Sequence, residues 1–233
     1  MKKALAIAAK DLRAETRSKE IAPAMLLFSL SLVFLFTFAL PPGVGRAAVP
    51  PPIAGGVGAL EITSVFLWSS LLFAGIVGFA RSASLEKEGS QIDGLVLSPV
   101  DPAWLFLGKA FALFIYLSIT QIAVLIFLFL FIDLPPQAIA GTAAIAFLVN
   151  MGLAAIGTLF ATATQYTRAK ELVLPLLIFP TVLPLLLAAI RLTTAAFERQ
   201  DPFAETRWFI LIAIYDIIFI TIGAVTYEFV IRD

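Results

Sequence analysis

Apolar residues along this chain are gathered into six long runs, each bounded by charge or by proline and glycine. The runs cover 21–40, 62–80, 105–132, 139–163, 172–190 and 208–231. A hydrocarbon core of roughly 30 Å needs about 20 apolar helical residues to cross it. The pattern therefore predicts an all-α, polytopic membrane protein with six transmembrane helices forming one domain over 1–233. The first run is long enough to span and follows a charged segment containing Asp11, Glu15 and Glu20, so it is read as a retained helix and not as a secretory signal.

Lys and Arg in short flanking segments set the orientation. Twelve lie on one side: six before the first run, then Arg81, Lys87, Lys109, Arg168, Lys170 and Arg232. Four lie on the other: Arg46, Arg191, Arg199 and Arg207. This predicts that both termini are cytoplasmic. Within 2–19, apolar Leu5, Ala8 and Leu12 recur at helical spacing beside a stripe of Lys10, Arg13 and Arg17. That pattern fits an amphipathic helix on the inner leaflet, or a topology signal with no further role.

Composition narrows the chemistry. Hydrophobic residues make up 61% of the 233 and charged residues 14%, against about 25% charged in soluble domains. Sixteen basic residues balance sixteen acidic ones, leaving no excess charge for nucleic acid. With no Cys and no His, the chain lacks disulfides, imidazole or thiolate metal sites, and Ser-His-Asp or Cys-His catalysis. Gly108-Lys109 is not a phosphate-binding loop, because Ala103 stands where glycine is required and Ala110 where Ser or Thr is required. Asp93-Gly94 lacks the downstream aspartates of a metal-dependent phosphoalcohol transferase. The chain is read as non-catalytic, with no metal site and no cofactor of its own, so any ATP must be bound by a partner.

The segments between runs differ in kind. Residues 41–60 hold five Pro and five Gly, which predicts an irregular outer excursion. Residues 81–102 mix Glu86, Lys87, Glu88, Asp93 and Asp101 with Ile92, Leu95, Val96 and Leu97. A merely solvated linker would be less apolar, so the pattern predicts a short amphipathic helix over 85–97, interrupted at Gly89 and stopped near Pro99. Its apolar face suits a cytoplasmic partner.

Inside the runs, Pro175, Pro180 and Pro184 fall five and four residues apart and predict a broken or kinked helix, either a packing kink or an element that changes shape. Lys109, Glu228 and Glu61 are placed near span ends, where side chains reach the headgroups. Asp216 lies about 12 Å into its run, and Gln121 and Asn150 also fall in outer halves. A charge at mid-membrane costs about 2.5–3.5 kcal/mol on insertion scales. These three are expected to face protein or water, as interhelical hydrogen bonds or as a shared cargo-facing or gating patch. Ala74 with Gly78, and Gly157 with Ala161, have the four-residue spacing of close helix packing.

The stretch Leu85-Glu-Lys-Glu88-Gly-Ser-Gln-Ile-Asp93-Gly-Leu-Val-Leu-Ser98-Pro99-Val-Asp101-Pro, followed by Leu107-Gly108-Lys109, resembles the cytoplasmic coupling segment of the heme exporter protein B (CcmB) family. The Leu-Pro and Phe-Pro steps of 172–187 and the opening Lys10-Asp11-Leu-Arg13 are similar to that family too, so the resemblance spans nearly the whole chain. Asp216 and the proline-rich outer loop have no counterpart in the pattern.

The resemblance implies the membrane, permease-like subunit of the ABC complex for cytochrome c maturation, in the bacterial cytoplasmic (inner) membrane. It implies a separate cytoplasmic ABC ATPase that binds ATP, a membrane haem-handling partner, a periplasmic haem chaperone and two copies of this chain. Glu86, Glu88, Gly89, Asp93, Gly94, Pro99 and Asp101 would then form the ATPase-coupling segment, with haem as cargo or as the load of a released chaperone. Without His or Cys, haem iron has here only Tyr116, Tyr166, Tyr215, Tyr227, Met25 or Met151 as weak ligands, which favours mechanical coupling over ligation. Because part of the motif is shared with type-2 ABC exporters at large, another apolar cargo such as a lipid or drug is the alternative.

Overall fold

A backbone surrounded by lipid must satisfy its own N–H and C=O groups, and each long apolar run accordingly closes into a helix. The computed structural model describes residues 2–39, 58–88, 101–132, 134–165, 167 and 169–232. They form α1 (Lys2–Ser18), α2 (Ile21–Ala39), α3 (Ala59–Glu88), α4 (Pro102–Phe131), α5 (Ala138–Thr164), α6 (Lys170–Phe197), a single 3-10 turn (Pro202–Ala204) and α7 (Thr206–Arg232). Among the described residues there is no strand. Six helices, α2 to α7, are long and apolar enough to cross a membrane.

Local chemistry sets several ends. Asp101 caps α4 by accepting from the Ala103 N–H at 2.9 Å, with Pro102 opening the helix where its missing donor is harmless. Asp201 caps the 3-10 turn in the same way, through the Phe203 N–H at 2.9 Å. Pro135 and Pro136 separate α4 from α5.

α5 is the centre of the bundle, packed against α3, α4, α6 and α7, and Gly152 to Leu159 is buried on every side. Around it, α2 buries an i+4 stripe of Ile21, Met25, Ser29 and Val33, largely against α3. Trp68 of α3 donates to the Thr193 hydroxyl of α6 at 3.0 Å, both buried. At the same end of these two helices, Arg191 pairs with Glu61 at 3.6 Å. The apolar faces left outward, such as Leu27, Leu35 and Phe38 on α2, suit a lipid solvent rather than water.

Two expectations change and a third is narrowed. α3 runs unbroken to Glu88, so Leu85 to Glu88 finish that long helix and do not begin a separate one; no breaker precedes Gly89. α6 is one continuous helix through all three prolines, so of the broken and kinked forms expected the break does not occur. Its buried face is Leu174, Ile178, Val182, Leu185 and Ala189, whereas Pro180 and Pro184 are exposed on the opposite side and Pro175 is half-buried. The rings of Pro180 and Pro184 thus stand on the outward side of the helix, away from the packed face. Lys109, expected at a headgroup, is only 7% exposed, its amine 5.9 Å from the Tyr227 ring, because the last turns of α7 pack over this part of α4.

Candidate functional site

The segment expected to meet a partner lies between the end of α3 and the capped start of α4. Glu86 and Glu88 fall in the last turn of α3, and Asp101 is the cap of α4. Gly89, Asp93, Gly94 and Pro99 lie outside the described residues. The connection therefore starts from one helix that runs straight into the bundle and re-enters through another whose first turn is fixed by its cap.

α1 lies against the start of this second helix. Its protein-facing stripe is Ala4, Ile7, Ala8, Asp11, Leu12 and Glu15. A Cβ on Gly108 of α4 would fall 2.8 Å from the Ile7 Cβ and 2.9 Å from the Ala4 carbonyl oxygen, so the backbones meet as closely as glycine permits. Ala8 is buried and Leu12 half-buried on this stripe, while Leu5 stands beside it, 53% exposed. Farther along, the Tyr116 hydroxyl donates to the Asp11 carbonyl at 3.3 Å.

The joint between α1 and α2 was not legible as a site. Glu15 is 7% exposed, and its Oε1 accepts from the Ile21 and Ala22 N–H groups at 2.8 and 2.9 Å, the first donors of α2. The Ser18 hydroxyl reaches Oε2 at 3.3 Å, and Lys19 turns the chain with a left-handed φ of 54°. Glu20 then pairs with Arg81 of α3. A carboxylate six residues ahead of the helix it caps is too remote for a capping motif to reveal.

Asp216, Gln121 and Asn150 are each 1% exposed. Neither carboxylate oxygen of Asp216, neither amide atom of Gln121, nor the Asn150 Oδ1 has a hydrogen-bond partner among the described residues. Asp216 of α7 packs onto Gly152 of α5, with Leu185 of α6 close by. Asn150 lies two residues from Gly152 and so points some 200° around α5, away from Asp216. The structure thus places Asp216 and Asn150 on different sides of the central helix.

The small-residue pairs serve side chains instead of bare backbones. Gly78 receives Met25, and Gly157 receives the ring of Phe79. An apolar cleft of about 220 Å³ opens between α4, α5 and α7, lined by Phe106, Phe111, Phe114, Phe147, Met151 and Ile220. Of the residues weighed as iron ligands, Met151 is on its wall, Met25 is buried against Gly78, and Tyr227 is buried beside Thr162 at 3.3 Å. Among the described residues no three acidic side chains gather as a metal site would require.

These features define a polytopic helical membrane protein with six long apolar helices among the described residues. The family model of the CcmB protein matches residues 2–232, and the chain belongs to the CcmB family. That family is the membrane subunit of the haem-export ABC system. Comparison with curated proteins gives no match.

Proposed function

We propose that this chain is the permease-like subunit through which ATP hydrolysis on a separate ABC ATPase drives haem handling in cytochrome c maturation. The connection over 89–100, with Glu86, Glu88 and Asp101 at its edges, seats the ATPase. Both termini are cytoplasmic, the protein is embedded in the inner membrane, and two copies assemble with the ATPase, a membrane haem-handling partner and a periplasmic haem chaperone. The observation that carries this reading is the family match over 2–232, supported by a connection framed by a helix extending to Glu88 and by the Asp101 cap.

Mechanically, a push on a short segment held between two stiff helices moves both, so nucleotide-driven closure of the ATPase becomes a displacement of α3 and α4 within the bundle. Haem is cargo in this scheme, exported or carried off by the chaperone; this chain adds no ligand chemistry, and the ATP sits on its partner. A covalent-haem stain of c-type cytochromes tests the reading in cells lacking the gene. Loss of the stained bands, restored by the wild-type gene, is the expected outcome; normal bands would remove the maturation role.

A further inference from the structure

The cytoplasmic connection has two flanks, α3 and α4, and one device touches both. α1 runs alongside α4: Ala4 and Ile7 meet Gly108, and Asp11 meets Tyr116 eight residues farther on, in the same order along both helices. Gly108 is six residues beyond Pro102, so the first contact is about 9 Å from the start of α4. α2 runs alongside α3, with Met25 seated on Gly78, and Glu20 at the turn pairs with Arg81 just before the helix leaves the bundle. The two arms meet at Lys19, where Glu15 of α1 holds the first two N–H groups of α2.

We infer that α1 and α2 form a brace across the two helices that flank the connection, and that Glu15 is the positioning residue that makes the two arms move as one piece. The inference rests on the reading of 89–100 as the ATPase seat. With the joint intact, displacement of α4 through Gly108 is carried around the turn to α2 and α3. With it loosened, motion of α4 reaches α2 and α3 only through its direct packing on them and on the central helix. The joint is a suitable place for such a lock, because a helix start left without acceptors frays. Here a single buried carboxylate supplies two of the bonds.

The test uses the full chain co-expressed with its ATPase, read by three measurements: ATPase co-purified per chain, ATP turnover per complex, and haem-stained cytochrome c. Glu15→Ala is expected to leave the first two within about two-fold while mature cytochrome falls about ten-fold, the range in which coupling free energies between sites lie. Glu15→Gln is expected to recover maturation, since its amide oxygen still accepts from both N–H groups. Wild-type maturation in Glu15→Ala would overturn the brace.

Should the Glu15→Ala chain fail to accumulate in membranes, the half-exposed pair at the turn decides. Arg81→Glu is expected to lower maturation, and adding Glu20→Arg to the same chain to restore it; wild-type maturation by Arg81→Glu alone would overturn the proposal. An ATPase that does not co-purify with the wild-type chain would instead overturn the seat, and the brace with it. That result is told apart by requiring no variant.

Discussion

A carboxylate with no hydrogen-bond partner for either oxygen among the described residues, held against a glycine inside a bundle, is the sharpest residue-scale feature of this protein. Two substitutions separate its packing from its charge. Gly152→Ala would put a Cβ onto the Asp216 carboxylate and 3.3 Å from Leu185 Cδ2. Overpacking of this kind costs about 1–3 kcal/mol, and a lower unfolding temperature in detergent is expected, measured by differential scanning fluorimetry. Asp216→Asn keeps the shape and removes the charge. If Asp216 belongs to a cargo-facing or gating patch, this variant assembles normally and stains poorly for cytochrome c. Equal assembly with equal staining would leave it a packing residue.

At the scale of elements, α6 shows why a proline count is a poor guide to a membrane helix. Proline within a helix costs about 3 kcal/mol in water through a lost bond and a steric clash. Here Pro180 and Pro184 are exposed on the side opposite Leu185 and Ala189, so replacing them removes strain without emptying the core. Pro180→Ala with Pro184→Ala is expected to raise the unfolding temperature and leave membrane levels intact; a large drop would mean the prolines shape the packed face. Continuity of α3 to Glu88 is the other element-scale result, since it makes part of the expected coupling helix the end of a long helix whose buried residues include Leu67, Leu71 and Phe79.

For the whole molecule, the proposed direction of force is from a partner chain into the bundle, and the acidic residues of the connection are where the two would meet. Glu88→Lys combined with Asp93→Lys is expected to weaken ATPase co-purification sharply while the chain inserts in normal amounts, as judged by membrane fractionation. Unchanged co-purification would sink the assignment of this segment. Reversal at two positions is the informative change, because single exposed ion pairs contribute only about 0–1 kcal/mol.

The amino-acid sequence by itself determined the number and approximate place of the six apolar helices, since lipid leaves the backbone no alternative to internal hydrogen bonding. It also carried the family, because the Leu85–Pro102 pattern is local and compositionally unusual. What it did not carry was every relation between helices. That Lys109 is covered by Tyr227, that Asp216 faces Gly152 and not Asn150's side of α5, and that Glu15 caps α2 depend on which helix faces which. An apolar run looks much the same on all sides to periodicity, so the choice of buried face is made by close contacts such as Gly108 with Ile7, which exist only once the bundle is assembled.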